Sequence, residues 1–353
     1  MVNNMIDMQT FLQEESVRVD AKIEQLLHEA GSLPMYHMLR YFMGYGNDLR
    51  HPTQGTHGKR TRSSLLLLTA KLFGGSSVAV DFAAAVELFH NFTLIHDDIV
   101  DNDEMRRGQP TLWKLWGKDH GINSGDAQLL LTNQVLLEAA RKDAVYGVAT
   151  AQLLTQYFLE ICEGQYLDFE LTKYALHDPL VTPEAYLEMI RKKTAVLVGA
   201  AASAGGMSAG CDDEVVQKLF TYGESLGLAY QIVDDHVSIW EETGATGKRA
   251  YGDIIERKKT YPALFARDHG DATRLTALYE KKETLTEDEV REVVNIFEKS
   301  GAREATEAYA HTYIENARSI ARSLPLDDTS KGILVALVEK VARVAGTIET
   351  PPM

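Results

Sequence analysis

"DFAAAVELFHNFTLIHDD", residues 81–98, decides the fold. It holds no proline or glycine and is apolar round most of its circumference, so it reads as a long helix buried among other helices. The helix runs into "IVDNDEMRRGQPT", residues 99–111, where Asp97, Asp98, Asp101, Asp103 and Glu104 precede Arg106 and Arg107. Asp97 and Asp101 are four residues apart and share one face. Carboxylates at that spacing repel each other and crowd the negative end of the helix dipole, so they need a positive partner. Hard oxygen donors with no cysteine nearby favour magnesium or manganese over zinc, and magnesium commonly links a few carboxylates to a substrate phosphate. Alone, an Asp-Asp-x-x-Asp reads more readily as a solvated helix end.

Outward from this helix the chain stays helical. "FLQEESVRVDAKIEQLLHEAG" carries Phe11, Val19, Ile23, Leu26 and Leu27 on a helical period and stops at Gly31. Comparable segments cover residues 34–46, 59–73, 77–100, 124–142, 144–172, 183–209 and 212–241, and further helices run to about 345. No alternating strand pattern bounded by hairpin turns is found. Most of the 9 prolines sit where helices begin or end, and no repeat or Ser/Gly-rich linker divides the 353 residues. The expectation is one all-α domain over residues 1–345, a large helical bundle around a central active-site cavity, with a tail over residues 346–353.

Composition narrows the function. A 45% apolar content is ample for a core, and a net charge of −15 argues against a nucleic-acid binder, which needs a basic surface. Cys162 and Cys211 form neither a disulfide framework nor a thiolate zinc site. The N-terminus has no secretory pattern, and no apolar run reaches the roughly 20 residues a membrane span needs. A cytoplasmic protein is expected.

A second acidic stripe raises the odds of metal binding. In "LGLAYQIVDDHVSIWEE", residues 226–242, Asp234, Asp235, Ser238 and Glu242 share one helical stripe with Gln231 a turn earlier, in an otherwise apolar segment. Two such stripes could face each other across a cavity and hold several magnesium ions. Cations supply the other half: Lys59, Arg60 and Arg62; Arg106 and Arg107; Lys192 and Lys193, followed by Thr194; Lys248, Arg249, Lys258 and Lys259. Beside acidic stripes these suggest phosphate binding, with Arg clamping oxygens bidentately and Lys acting as a point charge. "HGKRT" and "GATGK" both lack P-loop glycine spacing, so a nucleotide-cradling loop is not indicated. Phe89, Phe92, Thr93 and Leu94 on the first helix suggest a substrate with an apolar tail.

In their order and spacing, "GKRTR" (58–62), "ELFHNFTLIHDDIVD" (87–101), "RRGQPT" (106–111), "KKTA" (192–195), "GLAYQIVDD" (227–235) and "GKRAYGDIIERKKTYPAL" (247–264) resemble the trans-isoprenyl diphosphate synthases, or polyprenyl synthetases. The resemblance implies the isoprenoid synthase fold in a homodimer. It implies a reaction that joins isopentenyl diphosphate head-to-tail to an allylic diphosphate (dimethylallyl, geranyl or farnesyl) and releases pyrophosphate. It implies three magnesium ions per site, with manganese possible: Asp97 and Asp101 would ligate two on the allylic diphosphate with Asp98 beside them, and Asp234 would hold the third, supported by Asp235. Arg106, Lys193, Thr194, Gln231, Lys248 and Lys258 match positions around the allylic substrate. Lys59, Arg62, His90 and Arg107 match the isopentenyl diphosphate site.

Two positions depart from the pattern. Ser63 stands where the family often has proline. Ser238 stands where the second motif usually has its last Asp, and continuing to Glu242 resembles the second metal motif of class I terpene cyclases. A cyclase is therefore the enzymatic alternative, and a non-catalytic prenyl-diphosphate-binding partner subunit the alternative from another class. An aromatic residue five positions before the first Asp, here Phe92, resembles archaeal-type geranylgeranyl diphosphate synthases. A C20 product is expected with C15 next, and Phe89, Phe92 and Thr93 are the candidate floor of the tail pocket.

Overall fold

Helices make up nearly all of the computed structural model, which describes residues 8–46, 58–240 and 251–344. The tail expected over 346–353 lies outside the described residues. The chain divides into two compact units, one of Met1–Gln156 with Ala200–Gln217, the other of Tyr157–Gly199 with Lys218–Met353.

The first unit is built round α4 (Ala79–Val100). Phe82 to Leu88 are entirely or almost entirely buried, and Phe89 is 1% exposed, so this helix has no solvated stripe over most of its length. The helices packed on it are α6 (Lys118–Lys142) above all, then α3 (Thr61–Leu72) and α1 (Met8–Glu29). Helix α6 starts six residues before the expected 124, preceded by a short α5 (Leu112–Trp116). "KDHGIN" is a poor helix former by propensity, but Gly121 lies so close to Ile99 and Trp113 that a Cβ there would come within 2.8 Å of Ile99 Cδ1. Packing against α4 overrides local preference.

A second correction is a hairpin where no strand was expected. Met105–Arg106 (β1) pairs antiparallel with Gln109–Pro110 (β2). Its turn residues Arg107 and Gly108 both have positive φ, 52° and 79°, as a type I′ turn requires. The pattern was invisible because two-residue strands carry no periodicity and arginine is not a usual left-handed residue. The Tyr41 hydroxyl donates to the Pro110 carbonyl at 2.9 Å, and Gln109 Nε2 donates to the Tyr41 carbonyl at 3.2 Å, fixing the hairpin to α2 (Pro34–Met43).

The second unit takes the end of α7 (Gly147–Lys173), α8 (Pro183–Ile190), a π-helical turn (Arg191–Ala195), the start of α9 (Val196–Ser208) and most of α10 (Asp213–Trp240). It continues through α11 (Gly252–Ile255), α12 (Tyr261–His269), α13 (Ala272–Tyr279), α14 (Glu287–Ser300), α15 (Ala302–Ser323) and α16 (Asp328–Val344). Ile232 and Val233 of α10 enter a core with Tyr186, Leu264 and Phe297. Thr182 caps α8 by accepting from the Ala185 N–H, with Pro183 in the first turn. None of the described helices is long and apolar enough to cross a membrane.

Candidate active site

In the first unit, α4 delivers its acids at its end. Asp97 is half-buried and Asp101 exposed, one turn apart. Asp98 lies about 100° further round the helix and is buried, 1% exposed. The hairpin folds back on it: Arg106 Nε donates to Asp98 Oδ1 at 2.5 Å. Asp98 therefore anchors Arg106, and its other oxygen is buried without a hydrogen bond.

Three cations that are alike in sequence separate at the start of α3. Lys59 is exposed. Arg60 is buried in a network: Nε donates to Asp20 at 2.7 Å, Nη1 to Glu87 at 3.3 Å and Nη2 to the Tyr45 hydroxyl at 2.9 Å. Arg62 Nη1 stands 3.2 Å from His90 Nε2. Arginine can only donate, so this His90 nitrogen is the acceptor and the ring proton sits on Nδ1. Desolvation, then the charges of Arg62 and Arg107, hold His90 well below its ordinary value, so the ring is neutral. Arg107, held by Asn91 Oδ1 at 3.1 Å, is lowered to about 10 by burial, then by Arg60 and Arg106. Guanidiniums crowded this closely repel, and an anion among them relieves the repulsion.

Phe89, Phe92 and Thr93 lie deeper on α4. Phe92 is 8% exposed, with its ring 5.5 Å from that of Phe89 and 5.0 Å from that of His96. His96 Nε2 lies 3.2 Å from the Ile122 carbonyl of α6, so Phe92 sits on the flank of α4. The Thr93 hydroxyl donates to the His90 carbonyl at 2.8 Å.

The second unit contains an open pocket whose wall mixes acids and cations: Asp168, Asp234, Asp235 and Asp253 with Lys193, Lys258 and Lys259. Lys193 and Thr194 sit on the π-helical turn, a distortion often found at functional sites. Lys193 Nζ donates to Asp168 Oδ2 at 2.5 Å, whereas Lys192 turns outward to Glu163 at 2.6 Å. A polar chain joins the pocket's parts: Thr194 Oγ1 donates to Gln231 at 3.0 Å, Gln231 Nε2 to Asp235 Oδ1 at 3.0 Å, and the buried Tyr186 hydroxyl to Asp235 Oδ2 at 2.6 Å. Both oxygens of Asp235 are thus engaged, while Asp234 is half-buried at the wall. Lys259 Nζ donates to the Thr172 carbonyl, and burial, then Arg257, lowers it. Asp168 and Asp253 were not singled out in the sequence. Lys248, Arg249 and Glu242 lie outside the described residues.

The π turn depends on Gly164 of α7, where a Cβ would lie 2.2 Å from the Lys193 backbone nitrogen. Gly164→Ala is expected to displace the turn, lower stability by roughly 1–3 kcal/mol and cut turnover by more than the stability loss explains. Urea melts with steady-state rates check this; unchanged stability and rate would remove Gly164 from the account.

Two buried carboxyls give a pH signature. Asp98 is pushed up from 3.8 to about 7 by burial, against the pull of Arg106. Asp235 is pushed up from 3.8 to about 8, first by burial and then by Asp253. Each holds its proton in the folded protein at a pH where the unfolded chain has lost it. The stability they lend is full below 3.8 and is lost as pH rises through about 7 to 8. Glu289, lowered to about 2 by Lys281 and the Thr286 backbone, acts only below that window. His90, held below its ordinary value, works the other way up to about pH 6.5, so the melting temperature of the ligand-free protein should fall between about pH 6.5 and pH 8.5, and Asp235→Asn should flatten the fall. A flat parent profile contradicts this.

The described residues include no ready-made group of three or more His, Cys, Asp or Glu placed to cage a metal. The family model for polyprenyl synthetase matches residues 48–297. A geranylgeranyl diphosphate synthase of Mycobacterium tuberculosis is 35% identical over 313 residues, 88% of this chain and 87% of that protein. A (2E,6E)-farnesyl diphosphate synthase of Mycobacterium bovis is 33% identical over 297 residues, 82% of this chain and 81% of that protein. A polyprenyl synthase from Caulobacter crescentus CB15, solved in complex with calcium and isoprenyl diphosphate, has a TM-score of 0.79 at 26% identity, covering 99% of this chain and 100% of that one.

Proposed function

The chain belongs to the polyprenyl synthetase family, as a trans-prenyltransferase making short-chain prenyl diphosphates, and from that premise we propose how its residues divide the work. The observation that carries this reading is the pocket wall where Asp234 and Asp253 stand with Lys193 and Lys258, because a diphosphate bound through metal needs carboxylates for the ion and ammoniums for the oxygens. Asp97, Asp101 and Asp234 hold magnesium, three ions per site with manganese as a substitute, and Asp235 supports Asp234 from its bonds to Tyr186 and Gln231. Bound magnesium supplies neutralisation of the charge that gathers on the departing diphosphate.

This chain's residues do the rest. Arg106, oriented by Asp98, and Lys193, Thr194, Gln231, Lys248 and Lys258 bind the allylic diphosphate. Lys59, Arg62, the His90 Nδ1–H and Arg107 bind isopentenyl diphosphate. The allylic carbon–oxygen bond breaks, and the resulting carbocation adds to the double bond of isopentenyl diphosphate. A proton then leaves to the released pyrophosphate. Preorganised cations lower the cost of separating charge, and apolar residues such as Phe89 and Phe92 keep water from the cation.

The two mycobacterial relatives differ in product yet are almost equally similar to this chain, so identity does not select C15 or C20. We assign C20 on Phe92. Phe92→Ala should deepen the tail pocket and lengthen the product; chromatography of dephosphorylated products reads this, and an unchanged distribution with retained activity moves the floor to Phe89 or Thr93. Leu130 and Leu137, seven residues apart on α6 and 65% and 70% exposed, support a homodimer. The free cysteines Cys162 and Cys211 support a cytoplasmic location. A cyclase is the second reading because of Ser238. Pyrophosphate release decides between them: it requires both substrates in a synthase, and the allylic diphosphate alone suffices for a cyclase.

A further inference from the structure

Ser238 interrupts the second acidic stripe, yet it is tied into the pocket by both its side chain and its backbone. Its Oγ lies 2.8 Å from Asp253 Oδ2 and 2.8 Å from the Asp235 carbonyl oxygen. Its own carbonyl accepts the Tyr251 N–H at 3.2 Å. The single hydroxyl proton is offered to both acceptors, and the charged carboxylate is the stronger of the two. Backbone and side chain therefore form a two-point clamp from the last turn of α10 onto the turn that starts α11. Tyr251 begins that turn in the left-handed region, with φ 57°, a conformation an L side chain adopts only when its surroundings hold it there.

The tie continues beyond Asp253. The Lys258 N–H donates to the Asp253 carbonyl at 2.9 Å, and Lys258 Nζ, 3.0 Å from Glu256 Oε2, also stands 3.6 Å from Asp253 Oδ1. Asp253 and Lys258 share the pocket wall with Asp234 and Lys193.

We propose that Ser238 is a positioning residue, fixing the Asp253 carboxylate at the pocket wall. The acid that completes this wall then comes from residue 253 rather than from residue 238. The proposal rests on reading the pocket as the magnesium–diphosphate end of a prenyltransferase site.

Magnesium-dependent binding of inorganic pyrophosphate, measured by calorimetry on the full chain, tests it apart from turnover. Ser238→Ala should weaken binding by about 5- to 10-fold, the scale of one ordinary hydrogen bond, with little change in the melting temperature of the ligand-free protein. Ser238→Thr, which keeps the hydroxyl, should bind within about 2-fold of the parent. Asp253→Asn should weaken binding at least as much as Ser238→Ala, and the double variant should be no worse than Asp253→Asn alone, because Ser238 acts through that carboxylate. Parent-like binding by Ser238→Ala, failure of Ser238→Thr to restore binding, or losses that add in the double variant would overturn the proposal while leaving the site reading intact. Absence of magnesium-dependent pyrophosphate binding in the parent would overturn both.

Discussion

Asp97→Ala, and separately Asp101→Ala, is expected to lose roughly 10²- to 10³-fold in turnover, the scale set by removing one group that stabilises developing charge, while melting at or slightly above the parent temperature. The cause lies in how α4 ends. Asp97 is half-buried and Asp101 exposed, so neither fills core volume. The pair also crowds one helix face at the negative end of its dipole, which costs stability. Removing one carboxylate relieves that strain in the ligand-free protein and removes a metal donor from the working one. Near-parent turnover in a folded Asp97→Ala protein would end the metal assignment.

Arg60→Ala should behave in the opposite way, losing about 3–5 kcal/mol of stability, as when one partner of a buried ion pair is removed. Arg60 is fully buried and meets Asp20, Glu87 and Tyr45 together. Without it Glu87, 3% exposed, keeps only the Ser63 N–H at 3.3 Å. Denaturant titration reads the loss, and a change below about 1 kcal/mol would mean that water or another cation takes its place. Lys59→Ala, at an exposed position in the same pentapeptide, should leave the melting curve unmoved and raise the KM for isopentenyl diphosphate.

This contrast marks what the sequence could and could not tell. The burial of α4 was legible because apolar residues surround it, and α10 because its acids share one stripe of an apolar helix. The different roles within "GKRTR" were not, since Arg60 gains its partners from residues 20, 45 and 87, which no local pattern links. Asp98 was legible in part: its offset round the helix from Asp97 and Asp101 separates it from their face, but only the hairpin shows Arg106 meeting it. The hairpin escaped notice because its turn uses Arg107 where Asn or Gly is usual. Asp253 reads locally as one acid inside the basic run "GKRAYGDIIERKK", though an acid enclosed by cations beside a metal motif is a signal. Asp168 gave none, because its partner Lys193 is 25 residues away.

Chain extension is read directly from the products. Purified protein is incubated with magnesium, isopentenyl diphosphate and, in turn, dimethylallyl, geranyl and farnesyl diphosphate, and the dephosphorylated products are separated by length. Linear all-trans products that grow by five carbons per addition and stop at C20 are expected, with none when isopentenyl diphosphate is omitted. Cyclic hydrocarbons from an allylic diphosphate alone, or no extension of any primer by a folded protein, would contradict it.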